Sequence, residues 1–205
     1  MGLPLQTERL ELRAFEPSDL EALHAVNGDP EVTRFMKPYP TIEHTRRALD
    51  IHVSEARAGN PAFWAVIERA SGDLIGDAGV GLIDGVGPEF ELGYALGRRW
   101  WGRGYATEAT SAAMSYGVRN LRVPGFTSSH FVDNPASASV LRKLGFEPVG
   151  RGRIVSTARG HDVDALTYWL DAKRALERLP DAQAHLAADT PRWRAWLGRI
   201  AGRPV

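Results

Sequence analysis

Between Thr7 and Phe15 the chain alternates, with Leu10, Leu12 and Ala14 on one side and Arg9, Glu11 and Arg13 on the other. That is the two-residue period of a half-buried strand. Glu16-Pro17-Ser18-Asp19 then opens a helix to about Asn27, closed by Gly28-Asp29-Pro30. Two prolines make Lys37–Pro40 a loop. Thr41 is placed to cap a second helix that runs to about Ala58 and stops at Gly59-Asn60-Pro61. Short strands follow: Phe63–Glu68 and Leu74–Ile83 around the turn Ser71-Gly72-Asp73, then Glu89–Leu96 after Asp84–Pro88. Gly104–Asn120 returns to a helical period through Tyr105, Ala109, Ala112, Ala113 and Tyr116. A strand at Gly125–Phe131, a helix at Ser137–Leu144 ended by Gly145, and a hairpin of Phe146–Ser156 with Asp162–Leu170 complete the pattern. The order β-α-α-β-β-β-α-β-α-β-β describes one α+β (α/β) domain over residues 1–170. Residues 171–205 differ in composition. Trp193, Trp196 and Leu197 sit on one helical face between arginines, so this segment reads as a helical appendage that packs on the domain or on a second subunit of a homodimer.

Composition narrows the function classes. The 205 residues contain no cysteine, which removes disulfides, zinc–thiolate sites and thiol catalysis. Met1–Glu11 lacks a signal peptide, Gly2 lacks the serine or threonine of a myristoylation signal, and no apolar run reaches the ~20 residues that span a bilayer, so a cytoplasmic location with no membrane partner is expected. The 25 basic and 25 acidic side chains cancel, so no whole-protein charge favours nucleic acid. The arginines from Arg192 to Arg203 keep an RNA-binding end as a minor alternative. The histidines lack a metal-ligand spacing, and no metal site is assigned.

The most informative segment is Arg98-Arg99-Trp100-Trp101-Gly102-Arg103-Gly104-Tyr105-Ala106, between a strand and a long helix. Two glycines let successive amides converge, the helix adds its positive end, and three arginines add charge; a phosphate or pyrophosphate fits such a turn. A Gly-rich turn with solvated arginines is the plainer reading. The P-loop is excluded because Tyr105-Ala106 stands where Lys-Ser/Thr is needed, and the dinucleotide fingerprint because Thr107 replaces its third glycine.

Arg99-Trp100-Trp101-Gly102-Arg103-Gly104 resembles the acetyl-CoA signature Gln/Arg-x-x-Gly-x-Gly/Ala of the GCN5-related N-acetyltransferase (GNAT) superfamily. The run Trp101–Ala109, Glu91-Leu92-Gly93-Tyr94 before it, Asn134–Phe146 after it and the opening Thr7–Arg13 look like the RimJ/RimL branch, the ribosomal-protein N-terminal acetyltransferases. The resemblance covers about residues 5–170. It implies a GNAT fold: a mixed, mostly antiparallel sheet of about seven strands, the fourth and fifth splayed apart, with four flanking helices and here a C-terminal helical extension. It implies acetyl-CoA as cofactor, with the backbone of Glu91–Leu96 along the pantetheine and the amides around Arg99, Trp101, Gly102, Arg103, Gly104, Tyr105 and Ala106 on the pyrophosphate. Asn134 and Ser137 would contact the coenzyme from the other side, and Arg142 or Lys143 is a candidate for its 3′-phosphate. The acceptor would be a primary amine, with a protein N-terminus favoured by the branch; antibiotics, polyamines and amino acids stay open, as does a silent acyl-CoA-binding module.

Acetyl transfer to an amine needs a base, an oxyanion donor and a leaving thiolate. Glu91 is the first candidate for the base, although Glu89 and Glu91 both fit a solvated sheet face equally simply. The resemblance assigns the oxyanion donor to a free backbone N–H near Tyr94. Ser128 and His130 share a strand face and are candidates to orient the amine or relay a proton, beside a purely structural role. Glu108 fits a structural role at a helix start. The tyrosine that many family members use as general acid is Leu141 here, which leaves the thiolate unassisted or assisted by a donor such as Ser137. Phe35, Met36, Tyr39 and the Arg151–His161 region are candidate acceptor walls.

The neutral total hides a division. Residues 1–95 hold 8 basic and 16 acidic side chains, a net of −8, and residues 96–205 hold 17 and 9, a net of +8. The basic half begins at the glycine turn and the acidic half contains Glu91, a distribution suited to an anionic coenzyme and a cationic acceptor.

Overall fold

A computed structural model describes residues 4–58, 63–82 and 90–179. Eight strands form one sheet: β1 (Leu5–Gln6), β2 (Leu10–Arg13), β3 (Phe63–Glu68), β4 (Leu74–Leu82), β5 (Phe90–Leu96), β6 (Gly125–Phe131), β7 (Glu147–Ser156) and β8 (His161–Asp171), in the order β1-β2-β3-β4-β5-β6-β8-β7. All neighbours are antiparallel except β5 and β6. The helices are α1 (Leu20–Asn27), α2 (Pro30–Thr33), α3 (Ile42–Arg57), α4 (Tyr105–Tyr116), α5 (Pro135–Leu144) and α6 (Ala172–Arg178).

Every helix and strand expected from periodicity is present where the chain is described, and the differences are local. The strand expected from Thr7 to Phe15 is the shorter β2, and an unforeseen strand, β1, precedes the turn in which the Thr7 hydroxyl and amide engage Leu10, so eight strands replace the expected seven or so. Pro30 does not end helical structure: Asp29 caps the amide of Glu31 and Pro30 starts the extra turn α2, because proline suits the first position of a helix. Thr41 precedes α3 as foreseen, but its hydroxyl meets the His44 ring at 2.8 Å instead of capping a backbone amide. Glu89, Trp193, Trp196, Leu197 and the arginines from Arg192 onward lie outside the described residues. The start of the expected appendage is α6, which follows β8 directly, buries Ala175 in the main core and holds the Pro124 carbonyl through Ala172 N at 3.1 Å.

Alternation gives the sheet two distinct faces. One carries Trp64, Val66, Ala78, Val80, Phe90, Leu92 and Phe126 against α4 and α5, forming the larger core. The other carries Ala65 and Ala95 against α1, α2 and α3 in two smaller clusters. Burying Leu10, Leu12, Phe90 and Phe126 almost completely stabilises the fold by roughly 1.5–3 kcal/mol for each such side chain.

The parallel pair is the feature that positions the site. β5 and β6 are in register only at Phe90–Phe126 and Glu91–Thr127, then separate. Beyond that vertex the β6 side of β5 has no ladder partner. Leu92 O accepts from Ser128 Oγ at 3.2 Å and Leu96 O accepts from Trp101 Nε1 at 2.6 Å, so both carbonyls face away from β4. Tyr94 lies between them at the same period, and its N–H and C=O therefore face the gap.

Candidate active site

A cavity of about 670 Å³ opens at this splay. It runs from the glycine turn, past Leu92–Leu96, to α2, β6 and the start of α5. Gly102 (φ 74°) and Gly104 (φ 82°) both adopt left-handed conformations that cost a side-chain-bearing residue energy, and this lets the turn close immediately before α4. Tyr105, Ala106 and Thr107 form the first turn of α4 and line the cavity, so their amides, which have no partner inside a helix, gather at its positive end. Such a cradle fits a pyrophosphate.

The arginines play different parts from one another. Arg98 bonds Asp29 through Nε at 2.6 Å, and Arg99 pairs with Asp73 while its guanidinium lies 4.5 Å from the Trp100 ring centre. Arg98 and Arg99 are thus already matched to carboxylates and tie the turn to α2 and to the β3–β4 turn. Arg103, its guanidinium 5.3 Å from the same Trp100 ring centre, has no carboxylate partner among the described residues. Trp101 is half exposed and fixes its indole on Leu96 O.

Across the gap, Asn134 caps α5 by accepting from Ser137 N at 3.1 Å, and Ser137 Oγ meets the Tyr94 hydroxyl at 2.9 Å. Burial pushes the Tyr94 phenol up, a shift that the Ser137 hydrogen bond partly offsets. Glu91 lies at the vertex on the opposite sheet face from Tyr94; it remains exposed, yet the surrounding protein is dense enough to push its carboxyl above the ordinary range. Ser128 is buried and donates to Leu92 O, while His130 is held by Phe131 O at 2.8 Å and by the Tyr168 hydroxyl at 3.1 Å, its ring stacked on Tyr168. Ser128 and His130 share a face, as alternation requires; Ser128 braces β5 at the vertex, whereas His130 ties β6 to β8. Leu141 is fully buried in the core, so this position serves packing in this chain. Lys143, Phe35, Met36 and Ile154 border the cavity.

Three participants escaped sequence reasoning. Arg9 reaches Arg103 O at 2.9 Å and Glu108 at 2.7 Å, beneath the glycine turn. Asn27, at the end of α1, lies close enough to Asp77 to favour its charged form. Asp77 itself projects from β4 into the cavity, and burial pushes its carboxyl up to about 7, against the lowering effect of Asn27. A lone acid in Leu74-Ile75-Gly76-Asp77-Ala78-Gly79-Val80 was the available signal, since an apolar strand tolerates a carboxylate only where it has a partner or a task.

The chain resembles known proteins in sequence and in fold. Residues 9–147 match the acetyltransferase (GNAT) domain family. The chain is 30% identical over 168 residues to the uncharacterized N-acetyltransferase p20 of Bacillus licheniformis, covering 81% of this chain and 94% of that protein. It is 26% identical over 180 residues to the ribosomal protein uS5-alanine N-acetyltransferase of Escherichia coli, covering 80% and 90%. Among solved structures, a GNAT-family acetyltransferase from Bacillus anthracis has a TM-score of 0.74 at 24% identity, covering 83% of this chain and 99% of that one. RimL, a ribosomal L7/L12 α-N-protein acetyltransferase in complex with coenzyme A, has a TM-score of 0.72 at 20% identity, covering 84% and 99%. The splayed strands, the glycine turn at the head of α4 and the match across most of the chain place this protein in the GNAT family of N-acetyltransferases.

Proposed function

We propose that this enzyme uses acetyl-CoA to acetylate a protein or peptide N-terminal α-amine by direct attack with both substrates bound. The observation that carries the reading is the unpartnered edge of β5 at Tyr94, which opens into the same cavity as the left-handed glycine turn. Acetyl-CoA supplies the acetyl group as a thioester, with a leaving thiol whose ordinary pKa is about 8.5.

The chain's own residues supply the rest. The amides of Tyr105, Ala106 and Thr107, with Arg103, bind the pyrophosphate end. The edge of β5 from Leu92 to Leu96 aligns the extended arm. The Tyr94 N–H donates to the thioester oxygen as negative charge grows there. Glu91 takes the proton that the amine loses as the new C–N bond forms and the C–S bond breaks. The Tyr94 hydroxyl, oriented by Ser137, donates to the departing sulfur. A carboxylate raised above its usual pKa is a stronger base, which suits Glu91 to this task.

The E. coli uS5-alanine enzyme supports the choice of a protein amine, because its name specifies N-acetylation of an alanine of a ribosomal protein. A small-molecule acceptor is the second reading, favoured by the similarity to the L-amino acid N-acetyltransferase AaaT of Escherichia coli, 26% identical over 158 residues. The test is acetyl-CoA with two sets of acceptors, free N-terminal peptides and small amines, followed by thiol release and peptide mass. Acetylated peptide α-amines support the proposal. Turnover confined to small amines overturns the acceptor class, and coenzyme A binding with no thiol release from any acceptor points to a silent binding module.

A further inference from the structure

One face of the sheet carries an unusual trough. On β4, Asp77, Gly79 and Gly81 stand opposite Ala95, Gly93 and Glu91 of β5, and paired residues project to the same side. Every position between the two carboxylates is therefore glycine or alanine. The bulky exception is Phe63 of β3, opposite Gly79, whose ring lies so close to Gly93 that a Cβ there would meet it at 3.0 Å. Ala95 and Glu91 are four residues apart, which at strand rise puts the two acids roughly 13–14 Å apart at the backbone. The trough thus has a carboxylate at each end and an aromatic floor, beside Val32, Phe35 and Met36 of the cavity wall.

Neither acid has a basic partner among the described residues. Glu91 belongs to the vertex, where the acetyl group is handed over, but Asp77 is one strand removed and has no part in that step. Its surroundings are rich in acceptors. Asn27 is 6% exposed, its amide acts on Asp77 to favour the charged carboxylate, and its Oδ1 has no hydrogen-bond partner. Tyr39 is close enough for the Asp77 charge to act on its phenol. Two carboxylate oxygens and an orphaned amide oxygen call for a group that only donates, and ammonium and guanidinium are the side-chain groups of that kind. Glu31 at the edge of the cavity adds to the negative field.

We propose that Asp77, with Asn27 beside it, is a second cation subsite that binds a basic group of the acceptor while the amine to be acetylated lies at Glu91. Resting on the proposed acetyl transfer to an α-amine, this assigns the acceptor to molecules with two basic groups separated by the length of the trough. In a peptide the second group is a lysine or arginine side chain close behind the N-terminal residue. Asp77 is a specificity residue in this scheme and leaves the chemistry to Glu91.

The probes are octylamine and 1,8-diaminooctane, which differ only in the second ammonium. Their equilibrium binding to the coenzyme A-loaded protein is compared for the wild type and for Asp77→Asn, with thermal melting to verify folding. The wild type is expected to prefer the diamine at least about tenfold, the scale of one charge-assisted contact, and Asp77→Asn to reduce that preference to about twofold or less while octylamine binding stays within about twofold. Asp77→Ser repeats the comparison should the amide variant not fold. Equal wild-type affinity for the two probes, or a preference that survives both substitutions, overturns the subsite. The coenzyme A titration is read separately: its failure overturns acetyl-CoA use, whereas the diamine preference, measured also without coenzyme, reports on Asp77 alone.

Discussion

Arg9 and Glu108, 99 residues apart, form the joint on which the glycine turn rests. Glu108 accepts from the Arg9 amide at 2.9 Å, from its Nε at 2.7 Å and from Thr7 Oγ1 at 2.6 Å, and the same guanidinium reaches Arg103 O and lies 4.4 Å from the Tyr105 ring centre. The start of β2 is thereby fastened to the first turn of α4. Glu108→Ala leaves Thr7 and Arg9 without their acceptor and is expected to destabilise the protein by about 2 kcal/mol, a value reduced for the partial exposure of Arg9. Coenzyme A affinity should fall with it, because Arg103 O loses its anchored partner. Chemical denaturation and coenzyme titration measure the two effects, and unchanged coenzyme affinity would show that the turn holds its shape alone.

Glu91→Gln removes the base and keeps its size. Turnover is expected to fall about 100-fold or more, with coenzyme A affinity unchanged. In the wild type, kcat should rise with pH through a value above the ordinary carboxylate range, since burial raises the Glu91 pKa and only the ionised form accepts the proton. That limb should vanish in the variant. A rate that survives the substitution assigns the proton to another acceptor.

Tyr94→Phe keeps the ring and the backbone amide and removes only the hydroxyl bonded to Ser137. If that hydroxyl protonates the leaving sulfur, kcat falls about tenfold to 100-fold with little change in KM, and Ser137→Ala, which leaves the phenol unoriented, loses less. Equal losses of coenzyme affinity in both would instead identify a binding contact.

His52 predicts an acid-sensitive fold. Its ring is stacked at 5.2 Å on Phe15 and lies 5.8 Å from Phe63, its Nδ1 has no partner, and burial lowers its pKa. The unfolded chain therefore binds a proton at higher pH than the folded one. Stability is fully present above about pH 6.5 and is lost as pH falls below that ordinary value toward the depressed folded one, with a slope of at most about 1.4 kcal/mol per pH unit. His52→Phe should flatten the decline, as seen by denaturation between pH 7 and 5.

The elements were largely legible because the sheet alternates where one face is buried and α4 repeats apolar residues at helical spacing. The glycine turn was legible too, since its two glycines are required by left-handed backbone at Gly102 and Gly104. What periodicity could not convey was register. Asp77 and Glu91 are 14 positions apart in sequence, and only the pairing of Asp77 with Ala95 and Gly81 with Glu91 sets both acids on one trough. Arg98 and Arg99 show the reverse effect: they look like phosphate ligands until folding brings Asp29 and Asp73 to them. α2 was missed because Gly28-Asp29-Pro30 reads as a stop, whereas α1 already ends at Gly28 and Pro30 only initiates the next helix.

The two-pair contact between β5 and β6 also has a mechanical consequence. The sheet is a seam joined at one end, with β1 to β5 on one side and β6 to β8 on the other, and the hydrogen bonds that would close it are left unmade at Tyr94. An extended ligand that bonds the Tyr94 edge acts as the missing strand, turning two leaves into one continuous fabric. Ligand binding should thus stiffen the junction between the leaves more than either leaf itself, so that slowed amide exchange concentrates along the seam.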